Sequence, residues 1–336
     1  MKKWLIVSLS LVLTAAYGLF LSFVFPIKAT VPDFSEESTP ATIPTDTVAD
    51  IPASAPSTVE TTEESAVIEL TTQSDIHTLT GTHAFVYDCS ADFLLYTHGD
   101  QSQSFAPASL TKLFTAQTAL QYLDPATVVT VGVEVTWIHP HSSVAWLKEG
   151  HRLTVEMLIQ GMLMQSGNDA AYTLAVAAGR SIAGDADMDA RSALNTFMVR
   201  MNEDILSWGL TDTHLVTPDG IDAEGHITTV ADLMSISKLA MQSPIISCYA
   251  AMDKATVTFV SGESCTWSST NWLLNPQSDY YCPAACGLKT GSTSNAGNCV
   301  VSLFYANGRY LLIGVLGCPS YGTRFADALQ LYELYR

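Results

Sequence analysis

Residues 298–317 read NCVVSLFYANGRYLLIGVLG. Two runs rich in Val, Leu, Ile, Phe and Tyr, 298–305 and 310–317, flank Ala306-Asn307-Gly308-Arg309. Asn-Gly between such runs is a strong signal for a tight hairpin, because both central turn positions need φ > 0. Far upstream, 83–88 (HAFVYD) and 93–97 (FLLYT) read as a second hairpin joined by a short polar turn. Between the hairpins the period changes: 109–123, 154–165, 168–182, 189–208 and 229–242 carry apolar residues at three- and four-residue spacing, the pattern of amphipathic helices. The order strands, helices, strands predicts an α+β domain. Its antiparallel sheet is built from both ends, closed by the second hairpin, with a helical block inserted, a cleft between the two, and a helical tail ending at Arg336.

Outward from this domain the composition changes twice. Lys2 and Lys3 precede an almost charge-free apolar run, Trp4 to Phe25, long enough to cross a bilayer as a helix and to direct everything after it out of the cytoplasm. Ile27-Lys28-Ala29 is a poor small-x-small cleavage site, so residues 1–30 read as an uncleaved anchor in preference to a cleaved signal. Residues 31–80 hold five Pro, ten Asp or Glu and no Lys, Arg or Gly. Such a stretch buries too little apolar surface to fold and reads as an acidic tether with a reach of about 40 Å. Residues 81–336 are left as the folded domain, and 48% hydrophobic content over the 336 residues is ample for a core. A formal charge of -18 disfavours a nucleic-acid partner, which requires a concentrated basic surface. The seven cysteines (Cys89, Cys248, Cys265, Cys282, Cys286, Cys299, Cys318) form no paired CxxC, and their odd number precludes a fully paired framework. A Cys282–Cys286 bridge stays open.

Three short motifs occur in order: Ser109-Leu110-Thr111-Lys112, Ser166-Gly167-Asn168 and Lys289-Thr290-Gly291. The first two are weak individually. Ser235-Ile236-Ser237-Lys238 also fits SxxK, and Ser269-Thr270-Asn271 also fits SxN. Context separates them: Ser235 lies inside an amphipathic helix, whereas Ser109 follows Pro107-Ala108, where a helix begins. The first turn of a helix offers unpaired N–H groups and a positive dipole end for a developing oxyanion. One turn also puts Ser109 and Lys112 on the same face, so the amine reaches the hydroxyl. To act as base, Lys112 needs a lowered pKa, from burial or from a neighbouring positive charge such as Lys289. Lys289, at a sheet edge, also suits a substrate carboxylate, Gly291 leaves room for a substrate backbone, Ser166 can relay a proton to a leaving amine, and Asn168 can hold a peptide amide or the lysine.

The set SxxK, SxN, KTG resembles that of β-lactamases and penicillin-binding proteins. The segments FAPASLTKLFTA, LIQGMLMQSGNDAA, THLVTPDGIDAEGHITT and GLKTGSTSNAG extend the likeness to the low-molecular-mass D-alanyl-D-alanine carboxypeptidases, peptidase family S11, over about residues 80–325. The resemblance implies the β-lactamase/DD-peptidase-like transpeptidase fold and a Ser109 acyl-enzyme formed on peptidoglycan stem peptides ending in D-Ala-D-Ala, with penicillins and other β-lactams as inhibitors of the same serine. By motif it makes Lys112 the proton acceptor, Ser166 the second serine and Lys289 the carboxylate-binding residue, with Thr290 and Gly291 beside it. It gives the N–H groups of Ser109 and Ser292 as the oxyanion hole. It calls for no cofactor and no metal. Many members carry a C-terminal β-rich domain and an anchoring helix; here the chain stops soon after the last hairpin, and the N-terminal membrane anchor, with the catalytic domain on the extracytoplasmic face, is expected to replace that attachment.

Blander readings compete. His214, Asp219, Asp222 and His226 could suggest a triad but crowd into a turn-rich loop and read as structural. His139, His141 and His151 lack HExxH and surround Pro140, which argues against a zinc peptidase. Glu203 stands where a class A β-lactamase keeps a deacylating glutamate, yet MNEDILSWGL reads as helix surface. A β-lactamase and a catalytically silent penicillin-binding sensor remain the rival functions.

Overall fold

The computed structural model describes residues 78–336. The expected anchor and the expected tether up to residue 77 lie outside the described residues. At its end the tether reading needs correction: Leu79 is buried, and the Asp327 carboxylate takes hydrogen bonds from the N–H groups of Thr80 and Gly81 (2.8 and 2.9 Å). These residues belong to the domain.

In chain order the elements are β1 (His83–Asp88), β2 (Phe93–His98), α1 (Thr111–Tyr122), β3 (Val128–Thr130), β4 (Arg152–Thr154), α2 (Val155–Met164), α3 (Asn168–Ala183), α4 (Ala190–Ser207), α5 (Val230–Gln242), α6 (Pro244–Ala250), β5 (Lys254–Thr258), β6 (Ser264–Ser268), β7 (Ala285–Thr293), β8 (Gly297–Ala306), β9 (Arg309–Cys318) and α7 (Thr323–Tyr335). The expected α+β architecture is present, and the five expected helices stand within a residue or two of their expected bounds. Side-chain caps start several of them: Thr154 Oγ1 accepts from Met157 N–H at 3.1 Å and Asp189 Oδ1 from Ser192 N–H at 3.0 Å.

The main sheet has five antiparallel strands in the order β2-β1-β9-β8-β7. Asn307 (φ 52) and Gly308 (φ 81) form the β8–β9 turn, the left-handed pair that Asn-Gly accommodates. That hairpin lies at the centre of the sheet, so it does not close it; the edge belongs to β7, the strand of the Lys289 motif. Side chains alternate between two cores. Val300, Phe304, Leu311, Ile313 and Val315 pack on Phe325, Leu331 and Tyr332 of α7. Val301, Leu303, Leu312 and Leu316 face the helical block, with Leu113, Phe114, Leu158 and Phe197. Burial on both faces explains why β8 and β9 read as nearly continuous apolar runs.

Elements that the sequence pattern did not announce are short or polar: α6, which begins with a proline after Ser243, the β3–β4 ribbon and the β5–β6 hairpin. Trp267 of β6 is nevertheless fully buried. All seven cysteines are free. No bridge joins Cys282 to Cys286: Cys282 packs in the core beneath α7 and Cys286 against the core of the helical block.

Candidate active site

Ser109 sits in a one-turn 3-10 segment, Ala108–Leu110, that leads directly into α1. Lys112, in the first turn of α1, is fully buried. Its Nζ donates to Ser109 Oγ (2.8 Å), Asn168 Oδ1 (2.8 Å) and the Asp219 carbonyl (2.6 Å). Three acceptors match the three protons of an ammonium. Burial pushes its pKa down to about 8, against the opposing charges of Asp219 and Asp169. Of the two expected causes, burial is the one that lowers the Lys112 amine, while the charge of Lys112 bears on Lys289.

The second motif is a corner between α2 and α3. Ser166 is buried with φ 58, an uncommon conformation for serine that concentrates at functional sites. Asn168 opens α3, and its amide is oriented from both ends, Oδ1 on Lys112 and Nδ2 donating to Ser142 Oγ at 2.8 Å. Asp169 accepts from the N–H groups of Ala145 (2.7 Å), Leu147 (2.9 Å) and Ala170 (2.9 Å). Burial raises its pKa, and those amides pull it the other way. Trp267 Nε1 donates to Ala145 O at 3.0 Å. The strip 142–147 is thus pinned to the corner that orients Asn168.

The third motif lies on the edge strand β7. Lys289 is buried and donates to the Thr290 carbonyl at 3.0 Å. Burial first, then the charges of Lys112 and Arg324, holds its amine well below the usual range. Thr290 Oγ1 lies 2.6 Å from Thr270 Oγ1. Gly291 abuts the serine: a Cβ there would stand 3.0 Å from the Ser109 amide nitrogen. Ser292 Oγ donates to Asn298 Oδ1 (2.9 Å) and accepts from Arg324, whose Nη1 also donates to the Gly291 carbonyl, both at 2.9 Å. Arg324 was missed from the sequence because a single basic residue in a tail helix carries no motif. The Asp219 carbonyl was missed because a backbone group leaves no compositional trace.

The decoys fall elsewhere. Ser235 Oγ donates back to Ala231 O (3.0 Å), while Lys238 bonds Tyr87 OH (2.5 Å) and Asp92 (2.8 Å). Asn271 is buried, accepts from Leu273 N–H at 3.2 Å and donates to Ser302 Oγ of β8 at 3.4 Å. Ser235→Ala is expected to change activity by less than about twofold, checked by steady-state assay, since a helix-surface serine touches nothing reactive. Glu203 is exposed on α4 and pairs with Arg200 at 3.1 Å. His226 meets Thr111 Oγ1 at 2.9 Å, so it forms no triad with Ser109. His139 and His141 stand in a loop, and His151 packs on Phe259.

The D-alanyl-D-alanine carboxypeptidase family model, peptidase S11, matches residues 69–320. The chain belongs to this family. Among S11 relatives, it is 30% identical over 254 residues to the carboxypeptidase DacD of Salmonella typhimurium, covering 70% of this chain and 58% of that protein. To DacB2 of Mycobacterium tuberculosis it is 31% identical over 235 residues, covering 68% and 74%. The chain therefore spans little more than half of some curated relatives. The crystal structure of the Streptomyces K15 DD-transpeptidase superposes with a TM-score of 0.68 at 26% identity, covering 76% of this chain and 97% of that one. Penicillin-binding protein D2 of Listeria monocytogenes, in its ampicillin-bound form, gives 0.61 at 26% identity, covering 76% and 97%. The chain shares the fold of these two structures.

Proposed function

We propose that the protein is a serine D-Ala-D-Ala carboxypeptidase acting on peptidoglycan stem peptides, and that Ser109, Lys112 and Ser166 do the chemistry. The observation that carries this reading is the buried Lys112 amine 2.8 Å from the Ser109 hydroxyl. In the neutral fraction the amine takes the Oγ proton as Oγ attacks the carbonyl of the penultimate D-alanine. The oxyanion is held by the N–H groups of Ser109 and Ser292. Collapse breaks the peptide bond, Ser166 passes a proton to the departing D-alanine amine, and an ester remains on Ser109. Water then cleaves that ester, returning the serine proton. Asn168 holds Lys112 and the peptide amide. Lys289 and Thr290 bind the terminal carboxylate, and that anion restores charge to an amine that burial otherwise disfavours. Gly291 admits the substrate backbone. β-Lactams acylate the same serine.

The test is D-alanine release by the full chain from a peptide ending in D-Ala-D-Ala, with Ser109→Ala as control. Release that vanishes in the control supports the reading. Rapid turnover of penicillin in place of a stable adduct would make the protein a β-lactamase, and an adduct without release a silent penicillin-binding module. Adding an amine acceptor separates hydrolysis from the transpeptidation named for the K15 enzyme. Among the described residues no helix is long and apolar enough to cross a membrane. The apolar run Trp4 to Phe25 supports a cell-membrane anchor, with the catalytic domain tethered on the extracytoplasmic face. Intact mass of membrane-extracted protein checks this: loss of the first 29 residues would overturn it in favour of a cleaved signal.

A further inference from the structure

His226 is buried and lies outside the three motifs, yet its bonds lead to Lys112. Its Nδ1 accepts from the N–H groups of Val216 (3.0 Å) and Thr217 (3.3 Å). A nitrogen that accepts two amides carries no proton, so Nε2 carries it and donates to Thr111 Oγ1, 2.9 Å away. Thr111 stands inside the first motif. The loop that His226 grips continues into Pro218, Asp219 and Gly220, and α1 takes hold of it twice more. Thr115 Oγ1 donates to Pro218 O and Lys112 Nζ to Asp219 O, both at 2.6 Å. Beyond them Gly220 (φ 87) presses on the serine turn so closely that a Cβ would lie 1.9 Å from Ala108 O.

We propose that His226 is a positioning residue for acyl transfer: it staples residues 216–217 to Thr111 and so keeps the Asp219 carbonyl seated on the Lys112 amine, closing that amine off from water. This rests on the DD-peptidase reading above. Its physical consequence follows from what sets the basicity of Lys112. Desolvation is the largest influence on that amine, so releasing the loop admits water and returns it toward an ordinary lysine. The His226 ring feels the charges of Asp219, Asp222, His214 and Lys112, and burial keeps it neutral down to about 4. The staple therefore holds through the working range. Below it, a protonated Nδ1 would point a donor at two N–H donors, and the loop detaches.

The experiment is the pH profile of kcat/KM for D-alanine release, on full chains of the wild type, His226→Ala, His226→Asn and Thr111→Val. In His226→Ala and Thr111→Val the midpoint of the rising limb is expected to move up by about one pH unit, lowering the rate at pH 7 about tenfold with a smaller change at the alkaline plateau. His226→Asn, whose amide oxygen can sit where Nδ1 accepts, is expected to bring the midpoint back toward the wild type. Thr111→Val is nearly isosteric and carries the test if His226→Ala does not fold. Rates lowered by one factor at every pH, or an unchanged profile, would overturn the proposal and leave the histidine merely structural. Wild-type protein that neither releases D-alanine nor takes up penicillin would instead overturn the DD-peptidase reading, and the positioning role with it.

Discussion

Lys112→Ala is expected to lose D-alanine release and penicillin acylation together, by about a thousandfold or more, while the serine hydroxyl remains in place. A serine hydroxyl attacks poorly unless its proton has somewhere to go, and the only amine within bonding distance of Ser109 Oγ among the described hydrogen bonds is Lys112 Nζ. The same geometry sets the pH dependence of the wild type. The competent form is the neutral amine; with a pKa of about 8 it is a tenth or so of the population at pH 7. Activity should rise about tenfold per unit below that value and level off above it. A Lys112→Ala protein retaining more than about a tenth of wild-type acylation, measured with a labelled penicillin, would remove Lys112 from the mechanism. Burying the amine is destabilising: below pH 8 the folded state holds a charged group where water cannot reach it, and the same burial is what lowers its pKa.

Gly220→Ala is expected to be the most damaging single-methyl change at the site. The backbone there has φ 87, which disfavours any L side chain, and the added Cβ would meet Ala108 O at 1.9 Å and Thr111 Oγ1 at 2.8 Å. Neither neighbour is the free end of a long side chain, so the loop must lift from α1, taking the Asp219 carbonyl off Lys112. Acylation should fall about a hundredfold. Stability should drop by about 3 kcal/mol, which for a domain of this size lowers the melting midpoint by about 6–12 °C. Acylation and melting curves unchanged from wild type would mean that the loop relaxes without leaving the base.

The helical bounds and the β8–β9 turn were legible because each rests on local chemistry: three- and four-residue apolar spacing, and two successive left-handed residues that Asn307 and Gly308 supply. Ser109 could be told from Ser235 for the same reason, since Pro107-Ala108 marks a helix start and TVADLMSISKLAM a helix interior. The β5–β6 hairpin was not legible. Its strands KATVT and SCTWS are short and polar, and only the burial of Trp267 against the strip 142–147 shows what they hold.

By itself, then, the sequence determined the α+β order of elements, the three motifs and their family, because spacing along the chain carries that information. Tertiary structure decided which side chains and carbonyls meet. It set β7 at the sheet edge against Ser109, drew the Asp219 carbonyl and Asn168 onto one amine, and brought Arg324 from the tail helix behind Ser292. It also decided how basic the Lys112 amine is, since its basicity is governed by water exclusion, a property of the packed loop and helices together and of no segment alone.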